Sequence, residues 1–106
     1  MDIRKIRRLL VQEKIDLRFT DHAIIESRKD GLTTEDLEDA ILAGEIIEDY
    51  GRRGLLLHFT KEDSLPCHVV LEYESKAVEA VVVTAYIPDA TEWEPDWKRR
   101  RRKRRQ

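Results

Sequence analysis

The chain has 106 residues, of which 41% are hydrophobic and 40% are charged. This length suits one hydrophobic core, because domains usually contain about 100–150 residues, and the composition excludes a disordered chain. No apolar run approaches the roughly 20 residues that cross a bilayer, and no signal-peptide stretch follows Met1. The single cysteine, Cys67, excludes an internal disulfide and a cysteine-based zinc cluster. We therefore expect a cytoplasmic single-domain protein in which Cys67 is buried.

The formal net charge of −2 conceals an uneven distribution. All 22 acidic residues but only 12 of the 20 basic residues precede Lys98, so residues 1–97 carry a net charge of −10. Because eight consecutive like charges repel one another, the sequence predicts a single domain over residues 1–97 and a disordered basic tail over residues 98–106. The tail is interpreted as a nucleic-acid-binding arm or a docking segment for an acidic partner, ahead of a solubilising appendage.

Helical periodicity predicts three helices in the N-terminal half of the chain. Residues 2–14 place apolar side chains on one stripe. A second helix begins after Thr20, which can cap its N-terminus, and ends at Gly31, which tolerates a positive φ. A third helix begins at Thr33, has acidic residues in its first turn, and ends at Gly44.

The chain then changes to short β-rich runs separated by turns. Residues 45–50, 55–60, 67–74 and 78–86 are the predicted strands, and the last should be central because it is the most continuously apolar. Short turns between successive strands imply an antiparallel meander. The expected fold is α+β, with N-terminal helices packed on one face of a roughly four-stranded antiparallel sheet.

The order and spacing of several short motifs resemble one known family. The motifs are His22-Ala23, Gly31-Leu32, Asp36-Leu37, Ala40-Ile41, Gly44-Glu45-Ile46-Ile47-Glu48-Asp49-Tyr50, Leu55-Leu56-Leu57, His68-Val69-Val70, Thr84-Ala85-Tyr86-Ile87-Pro88-Asp89 and Trp93. Together, over about residues 19–97, they resemble domain-of-unknown-function family 4258. The resemblance implies the RelE/ParE-like toxin superfamily, with its helices-on-sheet fold and a partner antitoxin, often of a zinc-finger type.

This resemblance leaves the target open, since the superfamily includes messenger-RNA endonucleases and inhibitors of DNA gyrase. Many relatives also carry an arginine and a methionine four and five positions after the first histidine. The present chain has Glu26 and Ser27 there, with Arg28 one position further on. If that arginine stabilises a phosphate in relatives, this chain must use another cation or has lost the activity.

Cleavage of RNA through its 2′-hydroxyl requires a base, an acid and a cation for the charged phosphorane. The candidates for proton transfer are His22, His68 and Tyr86. The helix N-terminus favours a neutral His22 that can act as a base, although the same imidazole can simply complete the cap. His68 is a site residue or a solvated strand residue, and Tyr86 contacts a phosphate together with Thr84 or is buried with its hydroxyl hydrogen-bonded.

The candidates for phosphate binding are the turn arginines and the basic tail, although the turn arginines are alternatively plain turn residues. They are Arg52, Arg53, Lys98, Arg99, Arg100, Arg101, Arg102, Lys103, Arg104 and Arg105. Trp93 is expected to anchor the C-terminal extension on the sheet rather than to stack on a base. Three histidines without metal-ligand spacing make a metal site improbable, and no cofactor is expected.

Two functions follow from the sequence. The first is a toxin-like, metal-independent endoribonuclease in which His22 and His68 transfer protons and the tail steers RNA. The second is a non-catalytic protein that grips a topoisomerase or an antitoxin through its sheet and tail. The charge of −10 on residues 1–97 and the missing arginine favour the second.

Overall fold

The computed structural model describes residues 1–102. Its elements, in chain order, are α1 (Ile3–Val11), β1 (Asp16–Phe19), α2 (Asp21–Lys29), α3 (Thr34–Ala43), β2 (Glu45–Asp49), β3 (Arg53–Phe59), β4 (Pro66–Glu72) and β5 (Glu79–Tyr86). The α+β class is confirmed, and every predicted helix and strand is present together with one additional strand, β1. Within the described part of the chain, no helix is long and apolar enough to cross a membrane.

The helices begin and end at residues that the sequence marks out. The Thr20 side chain accepts a hydrogen bond from the Ala23 backbone N–H at the start of α2. Thr33 and Asp36 form a reciprocal capping box at the start of α3, which satisfies two N–H groups that the helix itself leaves free. After α2, Gly31 adopts a φ of +77°, a conformation that glycine reaches without strain. Local sequence therefore fixes where α2 and α3 lie along the chain.

The five strands form one mixed sheet in the order β1-β5-β4-β3-β2. Strands β2 to β5 are antiparallel, as predicted, whereas β1 pairs parallel to β5 with Asp16 opposite Glu79. The prediction of a four-stranded, purely antiparallel sheet is therefore wrong. Strand β1 has only four residues, and its partner is far away in sequence, so local periodicity does not reveal it. Strand β5, predicted to be central, lies inside the sheet between β1 and β4, and the middle position belongs to β4.

The helices cover one face of the sheet, where the hydrophobic core lies. The core includes Ile6, Ala23, Leu37, Ala40, Ile41, Leu56, Cys67, Val69, Leu71, Ala80, Val82 and Ala85. Cys67 is buried as predicted, and burial raises the pKa of its thiol to about 12. Because side chains alternate along a strand, the residues between these core positions point to the opposite face. That face carries His68, with Leu57 and Tyr86 as its cross-strand neighbours.

A short hairpin at residues 92–101, here called the C-terminal hairpin, follows the last strand. The Glu94 N–H donates to the Arg99 carbonyl, and the Arg101 N–H donates to the Glu92 carbonyl, each at 2.8 Å. Between these bonds, Trp93 and Arg100 form an antiparallel bridge. Residues 98–101, which the sequence assigns to the disordered tail, form the second half of this hairpin in the structure. The remaining predicted tail residues, 103–106, lie outside the described residues.

Candidate functional site

The C-terminal hairpin covers part of the sheet face that the helices leave open. Trp93 is only 1% exposed and packs edge-on against His68, with ring centroids 4.4 Å apart. The Arg100 guanidinium lies 4.7 Å from the Trp93 ring centroid, a distance at which the cation and the aromatic ring attract. Trp93 therefore anchors the C-terminal extension on the sheet, as the sequence led us to expect.

His68 is completely buried at the centre of this packing. Its Nε2 lies 2.7 Å from the Trp97 carbonyl oxygen, and since a carbonyl only accepts, Nε2 must carry the proton. Its Nδ1 is then an acceptor that faces the Tyr86 hydroxyl at 3.4 Å. Burial lowers the pKa of His68, because a charged imidazole would lose its hydration. The structure thus holds His68 as a neutral imidazole with a defined tautomer.

A pH dependence of stability follows from this buried imidazole. The pKa of His68 in the folded protein lies below the ordinary value of 6.5, so below about pH 6.5 the unfolded chain binds the proton more readily. The free energy of unfolding should therefore be unaffected by His68 above that pH and should fall as the pH drops below it. Urea unfolding at several pH values between about 7.5 and 5 measures the slope of the free energy of unfolding against pH.

The His68→Gln variant is the control for this slope, because it keeps His22 and His58 and removes only the buried imidazole. It should lose less stability than the wild type over the same pH range. Equal slopes for the two proteins would show that His68 is not buried in its neutral form.

A cleft of about 220 Å³ opens on the same sheet face, beside the C-terminal hairpin. Its polar lining consists of Glu48, Tyr50, Arg53, Tyr86 and Arg100, and we call it the sheet cleft. Arg100 donates two hydrogen bonds to the Glu48 carboxylate, at 2.8 and 3.0 Å, and the Tyr50 hydroxyl donates a third at 3.0 Å. The bond from Arg100 is the main reason that the pKa of Glu48 is lowered.

The other groups of the sheet cleft differ from Glu48 in charge. Burial raises the pKa of Tyr86, so its phenol stays protonated at neutral pH and can donate. Arg53 contributes a guanidinium that is half exposed and pairs with Glu72 at 3.2 Å. The sheet cleft therefore combines an ionised carboxylate, two protonated phenols and two guanidinium groups.

Four of the residues predicted from sequence meet at this place. Tyr86, Arg53 and Arg100 line the sheet cleft, and His68 lies directly behind Tyr86. His22 does not join them. It is exposed on α2, whose Ala23 belongs to the core on the other side of the sheet. Arg52 also lies outside the cleft, where it pairs with Glu74 at 2.6 Å.

Four cations of the predicted tail, Lys98 to Arg101, contact acidic groups of this chain. Lys98 pairs with Glu45 at 2.9 Å, and Arg99 pairs with Asp96 at 3.0 Å. Arg101 donates to the Ala90 carbonyl and lies 3.4 Å from Glu94. Arg102 is exposed, while Lys103, Arg104 and Arg105 fall outside the residues that the structure describes. The hairpin cations thus neutralise part of the acidic domain.

Sequence reasoning missed Glu48 and Tyr50 as members of the site. Both stand in a motif that resembles the family, but a carboxylate carries little signal in a chain with 22 acidic residues. A β-bulge between Ile46 and Glu48 also interrupts the alternation of β2. As a result Glu48, rather than Ile47, is paired with Leu55 and points to the sheet cleft. Only the three-dimensional register reveals this.

The departure from the family pattern lies on α2, away from the sheet cleft. Glu26 forms an exposed ion pair with Lys29 at 3.1 Å. Ser27 is 3% exposed and donates a hydrogen bond to the Ile24 carbonyl within the same helix. An arginine at position 26 would therefore stand on the helix-covered side of the sheet. The cations of the sheet cleft do not depend on it.

Comparison with known proteins places the chain in one family. No curated protein and no solved structure is significantly similar to it. A family model described as a domain of unknown function (DUF4258) matches residues 19–87. That segment contains α2, α3 and β2 to β5, and thus every polar residue of the sheet cleft except Arg100. Because the match covers most of its length, the chain belongs to the DUF4258 family.

Proposed function

We propose that the chain is a toxin-like component of a toxin–antitoxin module, with a RelE/ParE-like fold, that cleaves RNA in the cytoplasm without a metal ion. The observation that carries this proposal is the composition of the sheet cleft. Glu48, Tyr86 and two arginines, Arg53 and Arg100, line one opening on the sheet face that the helices leave free. These are the three kinds of group that cleavage through a 2′-hydroxyl requires.

Each group has a role in this reaction. Glu48 is held ionised, and it takes the proton of the 2′-hydroxyl as the 2′-oxygen forms a bond to phosphorus. Arg53 and Arg100 bind the phosphate oxygens, because a guanidinium matches their geometry with two parallel donors. Tyr86 gives its proton to the 5′-oxygen as the P–O5′ bond breaks. The products are a 2′,3′-cyclic phosphate and a free 5′-hydroxyl.

The bidentate contact between Arg100 and Glu48 is present when no RNA is bound. While it persists, two donors of Arg100 occupy the carboxylate and weaken it as a base. A phosphate in the sheet cleft competes with Glu48 for the same guanidinium. Binding of RNA therefore frees Glu48 at the moment when its basicity is needed.

His68 acts in this proposal as a positioning residue. It is fully buried, so it reaches the substrate only through Tyr86, whose hydroxyl lies 3.4 Å from its Nδ1. The acceptor at Nδ1 orients the Tyr86 hydroxyl before RNA binds, and the hydroxyl hydrogen then turns from Nδ1 to the 5′-oxygen. The phenolate that remains is stabilised by the positive charge of Arg100 and regains a proton from water, to which Glu48 releases the proton that it took up. The hydrogen bond from Nε2 to the Trp97 carbonyl keeps Nδ1 in this acceptor form.

A second candidate function is non-catalytic binding of a protein partner, such as an antitoxin or a topoisomerase. It is favoured by the ion pairs of the described hairpin, in which Lys98, Arg99, Arg100 and Arg101 each contact a carboxylate of this chain. Residues 1–97 also carry a net charge of −10, which repels RNA. The acidic segments of such a partner would replace these internal carboxylates as the ion-pair partners of the hairpin cations.

The nuclease proposal is tested with purified protein and a defined single-stranded RNA in the presence of EDTA. We expect fragments that end in a 2′,3′-cyclic phosphate, and no cleavage of the same strand carrying 2′-O-methyl groups. Fragments with other ends, or cleavage that EDTA abolishes, would contradict the proposed chemistry. An intact RNA together with tight binding of an antitoxin or topoisomerase would favour the second function.

A further inference from the structure

Tyr50 is an aromatic side chain that stands in solvent at the edge of the sheet cleft. It is 70% exposed and lines the sheet cleft together with Arg53 and Arg100. The roles proposed above for base, acid and phosphate binding leave its ring unused. An exposed ring beside two guanidinium groups therefore needs an explanation of its own.

The ring is fixed in position even though it is not buried. The Tyr50 backbone N–H donates to the Arg53 carbonyl at 2.8 Å, and its hydroxyl donates to Glu48 at 3.0 Å. Between Tyr50 and Arg53 the chain turns through Gly51, which adopts a φ of +80°, as the first residue of a two-residue hairpin turn often does. The Asp49 carboxylate accepts the Gly51 N–H at 2.9 Å and braces this turn. Tyr50 is therefore tethered at both ends, with its flat face open to solvent.

A rigid exposed ring next to phosphate-binding groups matches the chemistry of a nucleotide. A base can stack on the flat face of tyrosine, while the phosphate attached to the same nucleotide reaches a neighbouring guanidinium. A ring that is fixed in advance loses little conformational freedom when it binds. The arrangement suits an unpaired base, because a base within a duplex has no free face.

We propose that Tyr50 is a stacking platform for a nucleobase of single-stranded RNA, next to the phosphate held in the sheet cleft. The proposal rests on the proposed RNA site and adds the substrate class, an unpaired strand. Stacking has little dependence on base identity, so Tyr50 contributes affinity and position rather than sequence preference. The hydrogen bond from the Tyr50 hydroxyl also links the stacking platform to Glu48.

The test measures binding separately from cleavage. The probe is a fluorescently labelled single-stranded 2′-O-methyl RNA, which lacks the free hydroxyl needed for cleavage, and the readout is fluorescence anisotropy. We expect Tyr50→Ala to raise the Kd by about tenfold, because one base loses its stacking partner. Tyr50→Phe and Tyr50→Trp keep an aromatic face and should bind nearly as well as the wild type.

Two controls isolate the stacking contribution. Phe59→Ala removes another exposed aromatic ring, 46% accessible, at the opposite end of β3 from Arg53, and it should leave the Kd unchanged. An oligonucleotide of the same length with abasic positions should bind the wild type and Tyr50→Ala equally. Far-ultraviolet circular dichroism verifies that each variant is folded.

The outcomes separate this inference from the nuclease proposal. Equal affinity of Tyr50→Ala and the wild type for the base-containing probe would overturn the stacking platform, as would an absence of binding by both. If binding depends on Tyr50 but unmodified RNA remains intact, the platform stands and the nuclease proposal fails. If RNA is cleaved while Tyr50→Ala binds normally, the nuclease proposal stands and the platform fails.

Discussion

Replacing Trp93 with alanine should lower the free energy of unfolding by about 3–5 kcal/mol, the usual cost of truncating a buried tryptophan. Trp93 is 1% exposed, and its ring packs against both His68 and the Arg100 guanidinium. Removing it leaves a cavity over the sheet and releases the hairpin. Since small domains are stabilised by about 5–15 kcal/mol, urea unfolding followed by circular dichroism will show a clear shift.

Trp97→Ala is the matched control, because Trp97 belongs to the same hairpin but is only partly buried. It should cost clearly less than Trp93→Ala, on the order of 1 kcal/mol. Trypsin gives a second readout, since a released hairpin exposes the bonds after Lys98 and Arg99. Equal unfolding midpoints for Trp93→Ala and the wild type would show that the hairpin does not pack on the sheet.

Replacing Glu48 with glutamine should reduce the kcat/KM for RNA cleavage by about 10²- to 10⁴-fold, the range contributed by a general base. Glutamine keeps the size of the side chain but cannot accept the proton of the 2′-hydroxyl. The Arg100 ion pair that it removes is partly exposed, so the loss of stability should stay within about 1 kcal/mol. A large loss of rate with little loss of stability identifies a catalytic group.

Glu45→Gln is the control for this variant, because Glu45 lies on the same strand and pairs with Lys98 of the same hairpin. Its carboxylate does not line the sheet cleft, so cleavage should continue at nearly the wild-type rate. If Glu45→Gln and Glu48→Gln lose activity equally, the carboxylates act by holding the hairpin, and Glu48 is not the base.

Local signals predicted most of the fold. The threonine caps of α2 and α3 and the glycines that end α2 and α3 lie where the sequence predicts. Strand β1 was missed because its four residues gain their partners only from β5, across a long sequence separation. A parallel edge strand of this kind is specified by tertiary contacts, and a window of local sequence contains little of that information.

The sequence predicts only part of the candidate site, for a related reason. His68, Tyr86, Arg53 and Arg100 were singled out by residue type, but His22 was grouped with them although it lies on the other side of the sheet. Strict alternation along β2 would have turned Ile47, not Glu48, toward the same face as Glu45. The bulge that reverses this depends on the pairing of β2 with β3.

The prediction of a disordered tail considers the charges of residues 98–106 without their counter-charges. Lys98 and Arg100 find Glu45 and Glu48 on β2, roughly 50 residues earlier in the chain. Residues 92–97 supply further carboxylates from Glu94 and Asp96. In the structure, opposite charges and a buried tryptophan lie beside the like-charged segment, and the spacing of charges within the segment does not show this.

The most direct test of the sheet cleft as an RNA-cleaving site is induction in a bacterial host, with total RNA mapped by primer extension. Four proteins are compared: the wild type, His22→Ala, Glu48→Gln and Tyr86→Phe. We predict growth arrest and new RNA 5′-ends from the wild type and His22→Ala, and neither effect from the other two. New 5′-ends from Glu48→Gln and Tyr86→Phe at the wild-type level, or arrest by all four proteins without RNA cleavage, would contradict the account.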